Sequence, residues 1–176
     1  QFTHYTREQG GLSHNSVSAL AADNDNRLWA GTWGGEINLF NLKNPKQVVE
    51  VISSQTNDFP IDFVGALTYD PINKGMWIGA NQGLYFYDLA TQRIISPLPD
   101  KTAENIHGCV GSIIDKEGQL WVGCMEGVYI IDLHTRSSKG LFPYRHLHYK
   151  LDDPSSRLVE KITCFYETKD GVLWLG

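Results

Sequence analysis

Eight side chains in this sequence are of the kinds that hold a hydroxyl-rich ligand: His14, Asn15, Trp33, Asn81, Gln82, His107, Glu126 and Arg157. Carboxamides, a carboxylate and a guanidinium exchange hydrogen bonds with hydroxyls, while an indole stacks on the apolar face of a sugar ring. A solvated loop is the competing reading for each of them. No Ser-His-Asp set, phosphate-cradling glycine loop or zinc spacing stands out, so neither a catalytic residue nor a metal or cofactor is expected. His14 and His107 stand three residues before Val17 and Val110, which would make them equivalent. His146 and His148 alternate on one strand face, but a third ligand is not evident nearby. Asp152 and Asp153 precede Pro154 and read as a bend.

Those candidates need elements to carry them, and the elements repeat. Leu120-Trp-Val-Gly-Cys-Met-Glu-Gly-Val-Tyr-Ile-Ile-Asp-Leu133 has counterparts from Leu28 to Leu42 and from Met76 to Leu89, and a further copy begins at Leu173. The marker residues Trp29, Trp77, Trp121 and Trp174 are spaced by 48, 44 and 53 residues. A repeat of that length is the mark of a propeller or solenoid. Each copy starts with a run of small apolar residues (Val17–Asp23, Val64–Asp70, Val110–Asp115, Ile162–Glu167), suited to a crowded inner strand. An Asn, Asp or Gly turn follows, then the Trp strand closed by Gly31, Gly79, Gly123 or Gly176. A glycine turn and an alternating strand come next, and the spacing predicts an outer strand at 47–52, 93–95 and about 140–148. Four antiparallel strands per repeat make one propeller blade.

The expected fold is therefore all-β: about three and a half four-stranded propeller blades, an incomplete ring. The predicted divisions are residues 1–9 as the outer strand of a preceding blade, 10–54, 55–99 and 100–149 as blades, and 150–176 as half of a fourth. The recurring tryptophans should wedge between sheets; Trp33 falls outside the repeat, in a loop. In such a fold the second-to-third and fourth-to-first connections share one face around the channel mouth, the usual place for a ligand. That face would hold the eight candidates with Ser13, Asn57, Asp58, Asp62, Asn105 and Glu160. The open ends should promote self-association, because unpaired strand edges recruit partners.

The net charge of −5 without a Lys/Arg run argues against nucleic acid or an anionic membrane surface. With 41% hydrophobic and 20% charged residues the chain has the make-up of a soluble globular protein. It holds no stretch of about 20 apolar residues of the kind that spans a membrane. It lacks an initiator Met and a signal-like N-terminus, and so reads as a trimmed piece. Among three cysteines at least one is unpaired. Cys109 and Cys124 would lie on adjacent strands, which leaves open a bridge or two small buried core residues.

The Lys116-Glu-Gly-Gln-Leu-Trp-Val-Gly-Cys-Met-Glu-Gly-Val128 pattern resembles the two-component regulator propeller repeat. So do Gly11-Leu-Ser-His-Asn-Ser-Val17 and the link from His148 to Leu158. The resemblance implies the periplasmic sensor region of a hybrid two-component histidine kinase of Bacteroides type. It implies an oligosaccharide as ligand, control of polysaccharide-utilisation genes, and the remaining blades of a parent chain as partners. Kinase and membrane parts would lie outside this chain, which by itself would not be an enzyme. The alternatives are an enzymatic propeller of lyase or lactonase type and a protein-interaction propeller.

Overall fold

The computed structural model describes residues 2–44, 48–53, 61–99, 106–148 and 161–176. Blade 1 is β1 (Val17–Ala22), β2 (Arg27–Thr32), β3 (Ile37–Asn41) and β4 (Val48–Ile52). Blade 2 is β5 (Val64–Asp70), β6 (Gly75–Ala80), β7 (Gly83–Asp88) and β8 (Arg93–Ile95). Blade 3 is β9 (Gly111–Ile114), β10 (Gln119–Cys124), β11 (Gly127–Asp132) and β12 (Tyr144–Leu147). A pair, β13 (Phe165–Glu167) and β14 (Leu173–Leu175), follows. Strands within each sheet are antiparallel and in sequence order. No helix of the described residues is long and apolar enough to cross a membrane.

The first strands of successive blades lie side by side. Ser18 Oγ donates to the Val64 carbonyl at 2.5 Å, and the hydroxyls of Thr68 and Ser112 meet at 2.6 Å. Small residues are needed along these strands because another backbone passes close by. The glycine that closes each Trp strand has the same cause: a Cβ on Gly31, Gly79 or Gly123 would strike Val64, Cys109 or Ile162, the residues that lead the next blade inward.

Between blades, the first three marker tryptophans pack against the elements that follow. Trp29 is fully buried and meets Tyr87 of blade 2 edge-on at 5.4 Å. Trp77, 1% exposed, packs against Phe142 of blade 3 at 5.1 Å. Trp121 is half-buried against the cluster of Val128, Ile130 and Ile162, which Phe165 of β13 and Leu175 of β14 also join. Trp174 is 64% exposed. A ring of this size removes roughly 150–250 Å² from water, about 4–6 kcal/mol of transfer free energy before ordering costs.

A second device, unforeseen in the sequence, sets the pose of each indole. Asp23, Asp70 and Asp115 accept the N–H of Trp29, Trp77 and Trp121 at 2.8, 3.1 and 2.7 Å. The other carboxylate oxygen gathers the hairpin turn: amides of Asp25 and Arg27, of Ile72 and Asn73, or of Glu117 and Gln119. One aspartate thus ties an inner strand, its turn and the blade's wedge. In the last pair Thr168 takes this position, and its hydroxyl bonds the Val172 backbone instead. Burial disfavours the Asp23 charge, but bonds from Trp29, Arg27 and Asp25 outweigh it and hold the carboxyl below its ordinary value.

Two expectations are corrected, and the cysteine alternatives are decided. Val17 and Val64 each stand six residues before their aspartate, so their partner in blade 3 is Cys109 and not Val110. Cys109 and Cys124 are joined by a disulfide and are also fully buried, so the two readings left open both hold; Cys164 is free and exposed. Residues 2–9 do not form a strand. They run into a turn at 7–10, and Tyr5 packs edge-on against Phe40 at 5.2 Å.

Three outcomes test this arrangement. Asp70→Ala strands the Trp77 indole and two turn amides in a buried place and should cost about 3 kcal/mol in urea unfolding. Gly123→Ala, forced against the Ile162 backbone, should cost about 1–3 kcal/mol by the same measurement. Because the Asp23 carboxyl titrates lower in the folded than in the unfolded chain, its contribution is complete above the ordinary aspartate range and is lost as pH falls from there through the lowered folded value. Thermal melts should show that acid limb, and Asp23→Asn should flatten it.

Candidate functional site

Two sets of loops build one rim: the β2–β3, β6–β7 and β10–β11 turns, and the segments that lead into β1, β5 and β9. Trp33, Asn81 and Met125 occupy matching steps, each two residues past the glycine that closes the Trp strand. The Trp33 amide donates to the Ser16 carbonyl at 3.1 Å, which fixes the loop while the indole stays 65% exposed. Phe63, leading into β5, meets that indole edge-on at 5.4 Å. Asn81 and Gln82 are exposed, and the Asn81 carbonyl accepts the Gly108 amide at 3.0 Å. Next along the rim, Glu126 accepts the His107 amide at 3.0 Å through one oxygen and lies 3.1 Å from its Nδ1 through the other. So exposed a pair contributes little to stability.

Other candidates serve local structure. His14 Nδ1 accepts the Ser16 amide at 3.0 Å. Asn15 accepts the Arg7 amide at 2.8 Å and donates to Glu8 at 3.0 Å, pinning the N-terminal segment. The expected equivalence of His14 and His107 fails: measured from the aspartates, His107 matches Asn15, whereas His14 matches the buried Ile61 and Ile106. The one-residue slip at Val110 caused the mismatch. Arg157, like Asn57, Asp58, Asn105 and Glu160, lies outside the described residues.

His146 stacks on Tyr129 at 4.1 Å and its Nε2 contacts the Glu126 carbonyl at 2.8 Å; His148 sits tilted 5.1 Å away. Burial, with the Glu126 charge nearby, pushes the Tyr129 phenol up to about 12. Among the described residues no group of three or more His, Cys, Asp or Glu is arranged to hold a metal ion. Two residues were missed from sequence, Phe63 and the 56%-exposed Met125. Aligning the blades on the closing glycine would have pointed to Met125; Phe63 has no repeat signal. The rim thus offers an aromatic pair, exposed carboxamides and a His–Glu pair in separate groups, a set suited to holding a ligand. A cavity of about 300 Å³ lies elsewhere, on the face of blade 1.

The sequence pattern of the family described as "Two component regulator propeller" matches residues 11–34 and 157–176. No curated protein matches the chain. The extracellular domain of BT4673 from B. thetaiotaomicron, described as a hybrid two component system, superposes over 100% of this chain with a TM-score of 0.74 at 23% identity. That of BT3049 from the same organism superposes over 99% with a TM-score of 0.71 at 17% identity. The chain spans 22% of either domain. The computationally designed Ika4 protein is matched over 98% of its own length, with a TM-score of 0.60 at 18% identity. At these identities the likeness is one of fold. The chain thus carries the two-component regulator propeller pattern at residues 11–34 and 157–176, and it shares the fold of these extracellular domains along its described length.

Proposed function

We propose that this chain is a non-enzymatic segment of an extracytoplasmic sensor propeller whose rim takes part in binding an oligosaccharide. The observation that carries the ligand reading is Trp33, an exposed indole braced by Phe63 and held by its own backbone bond to Ser16. A braced, solvent-facing aromatic presents a stacking platform at little entropic cost, and the nearby carboxamides suit hydroxyls. Asn81, Gln82 and the His107–Glu126 pair extend the polar rim into the next blades.

The sensor reading is supported by the repeats and by the fold shared with extracellular domains described as parts of two component systems. The Cys109–Cys124 bridge fits an oxidising compartment such as the periplasm. Further blades of a longer chain would complete the rim, and ligand would act by favouring one of two arrangements of the sensor. A kinase and gene control would belong to other parts of that chain.

Calorimetry or a glycan array with oligosaccharides released from polysaccharides tests this. Binding by the wild-type chain is expected, weakened at least tenfold (about 1.4 kcal/mol) in Trp33→Ala with an unchanged melting temperature. Capture of a protein partner through Trp33, with no glycan bound, would shift the reading to an interaction propeller.

A further inference from the structure

The aromatic platform on the rim stands among carboxylates and without a cation. In their described residues the rim loops are 10–16, 33–36, 61–63, 81–82, 106–110 and 125–126, and these carry Glu36, Asp62 and Glu126 but neither Lys nor Arg. Two of the three lie at the Trp33 loop itself. Glu36 ends that loop with its carboxylate turned back over Gly34, since a Cβ placed on Gly34 would come 2.5 Å from Glu36 Oε2. Asp62 passes beside Gly35, whose own Cβ would come 2.9 Å from the Asp62 Cα. It directly precedes Phe63, the ring set against the indole. Asp62 is exposed and Glu36 partly so.

Nothing nearby offsets these two charges. Among the described residues neither takes part in an ion pair; Glu36 Oε2 has the Thr32 hydroxyl at 3.5 Å. His14 borders the same loop, its Cβ 3.4 Å from where a Cβ on Gly34 would sit. Its Nδ1 accepts the Ser16 amide, and a ring that accepts through that nitrogen is not an imidazolium. Arg7 and Glu8, on the segment pinned to Asn15, bring one charge of each sign.

Resting on the oligosaccharide reading above, we infer that the Trp33 platform takes uncharged sugars and rejects those bearing a carboxylate or a sulfate ester. A hydroxyl beside Glu36 or Asp62 can donate a charge-assisted bond, whereas an anionic substituent has no proton to give and meets like charge. Glu36 and Asp62 are thus specificity-determining, while the Trp33 indole supplies the stacking surface common to both kinds of sugar. One like-charge contact at a wetted surface changes affinity roughly fivefold, so the two together should discriminate at least about tenfold.

An array holding neutral, uronate-bearing and sulfated oligosaccharides gives the first reading, and the members bound by the 176-residue chain should be neutral. Calorimetry then compares the strongest neutral binder with its own partially sulfated derivative, expected to bind at least about tenfold more weakly at low salt. Added bulk also lowers affinity, so two further measurements isolate charge. In wild type the penalty should shrink in 1 M sodium chloride, where the screening length is about 3 Å. In the double variant Glu36→Gln/Asp62→Asn the affinity ratio of the two forms should fall to about twofold, with far-UV circular dichroism as in wild type. Anionic members bound as tightly as neutral ones, or a penalty indifferent both to salt and to the double variant, would overturn the selectivity and leave oligosaccharide binding standing. An array on which no glycan is bound would overturn both.

Discussion

The whole architecture depends on a carboxylate that answers two demands at once. A four-stranded blade needs a tight turn between its first and second strands, and its second strand must present a large indole at a fixed tilt. Asp23, Asp70 and Asp115 meet both, one oxygen collecting turn amides and the other the indole N–H. An indole buried with its N–H unpaired would lose much of what its apolar surface gains. The aspartate removes that penalty and makes the tryptophan's direction a property of the hairpin. The hairpin and the tilt of its indole are therefore set by bonds within one blade.

Neighbouring blades then have little freedom. The indole leaves one sheet at a given angle and must enter the next, while the closing glycine lets the following inner strand come close. Trp29 and Trp77, which have a complete blade beyond them, are almost fully buried; Trp121, which has half of one, is half-buried; Trp174 is exposed. Burial follows the amount of sheet supplied by the next repeat, as nearest-neighbour stacking requires. Blade 3 adds a covalent tie, Cys109 to Cys124, at the pair of positions held by Val17 with Thr32 and by Val64 with Ala80.

The rim is built differently. Its backbone is held in register by Trp33 on Ser16, Asn81 on Gly108 and Met125 on His107, but the side chains at matching steps are an indole, a carboxamide and a thioether. The scaffold repeats and the surface it presents does not, the division expected where loops on a rigid frame carry recognition.

The sequence by itself determined the blade, its four-strand order and the tryptophan wedge, because these follow from period-2 alternation, turn residues and a repeat length that are local and redundant. It also located Trp33 in a loop outside that repeat. What only the tertiary structure decided were relations across the chain. The aspartate recurs six or seven residues before each of the first three tryptophans, but an Asp ahead of a turn reads equally as turn chemistry, and its bond to the indole shows only in three dimensions. The inner-strand register slipped by one at Cys109, since Val110 imitates the valine of the other blades, and with that slip His14 and His107 were wrongly paired. Phe63 beside Trp33 and Tyr87 over Trp29 arise from packing between sheets. Such contacts join residues far apart along the chain, where no spacing rule reaches.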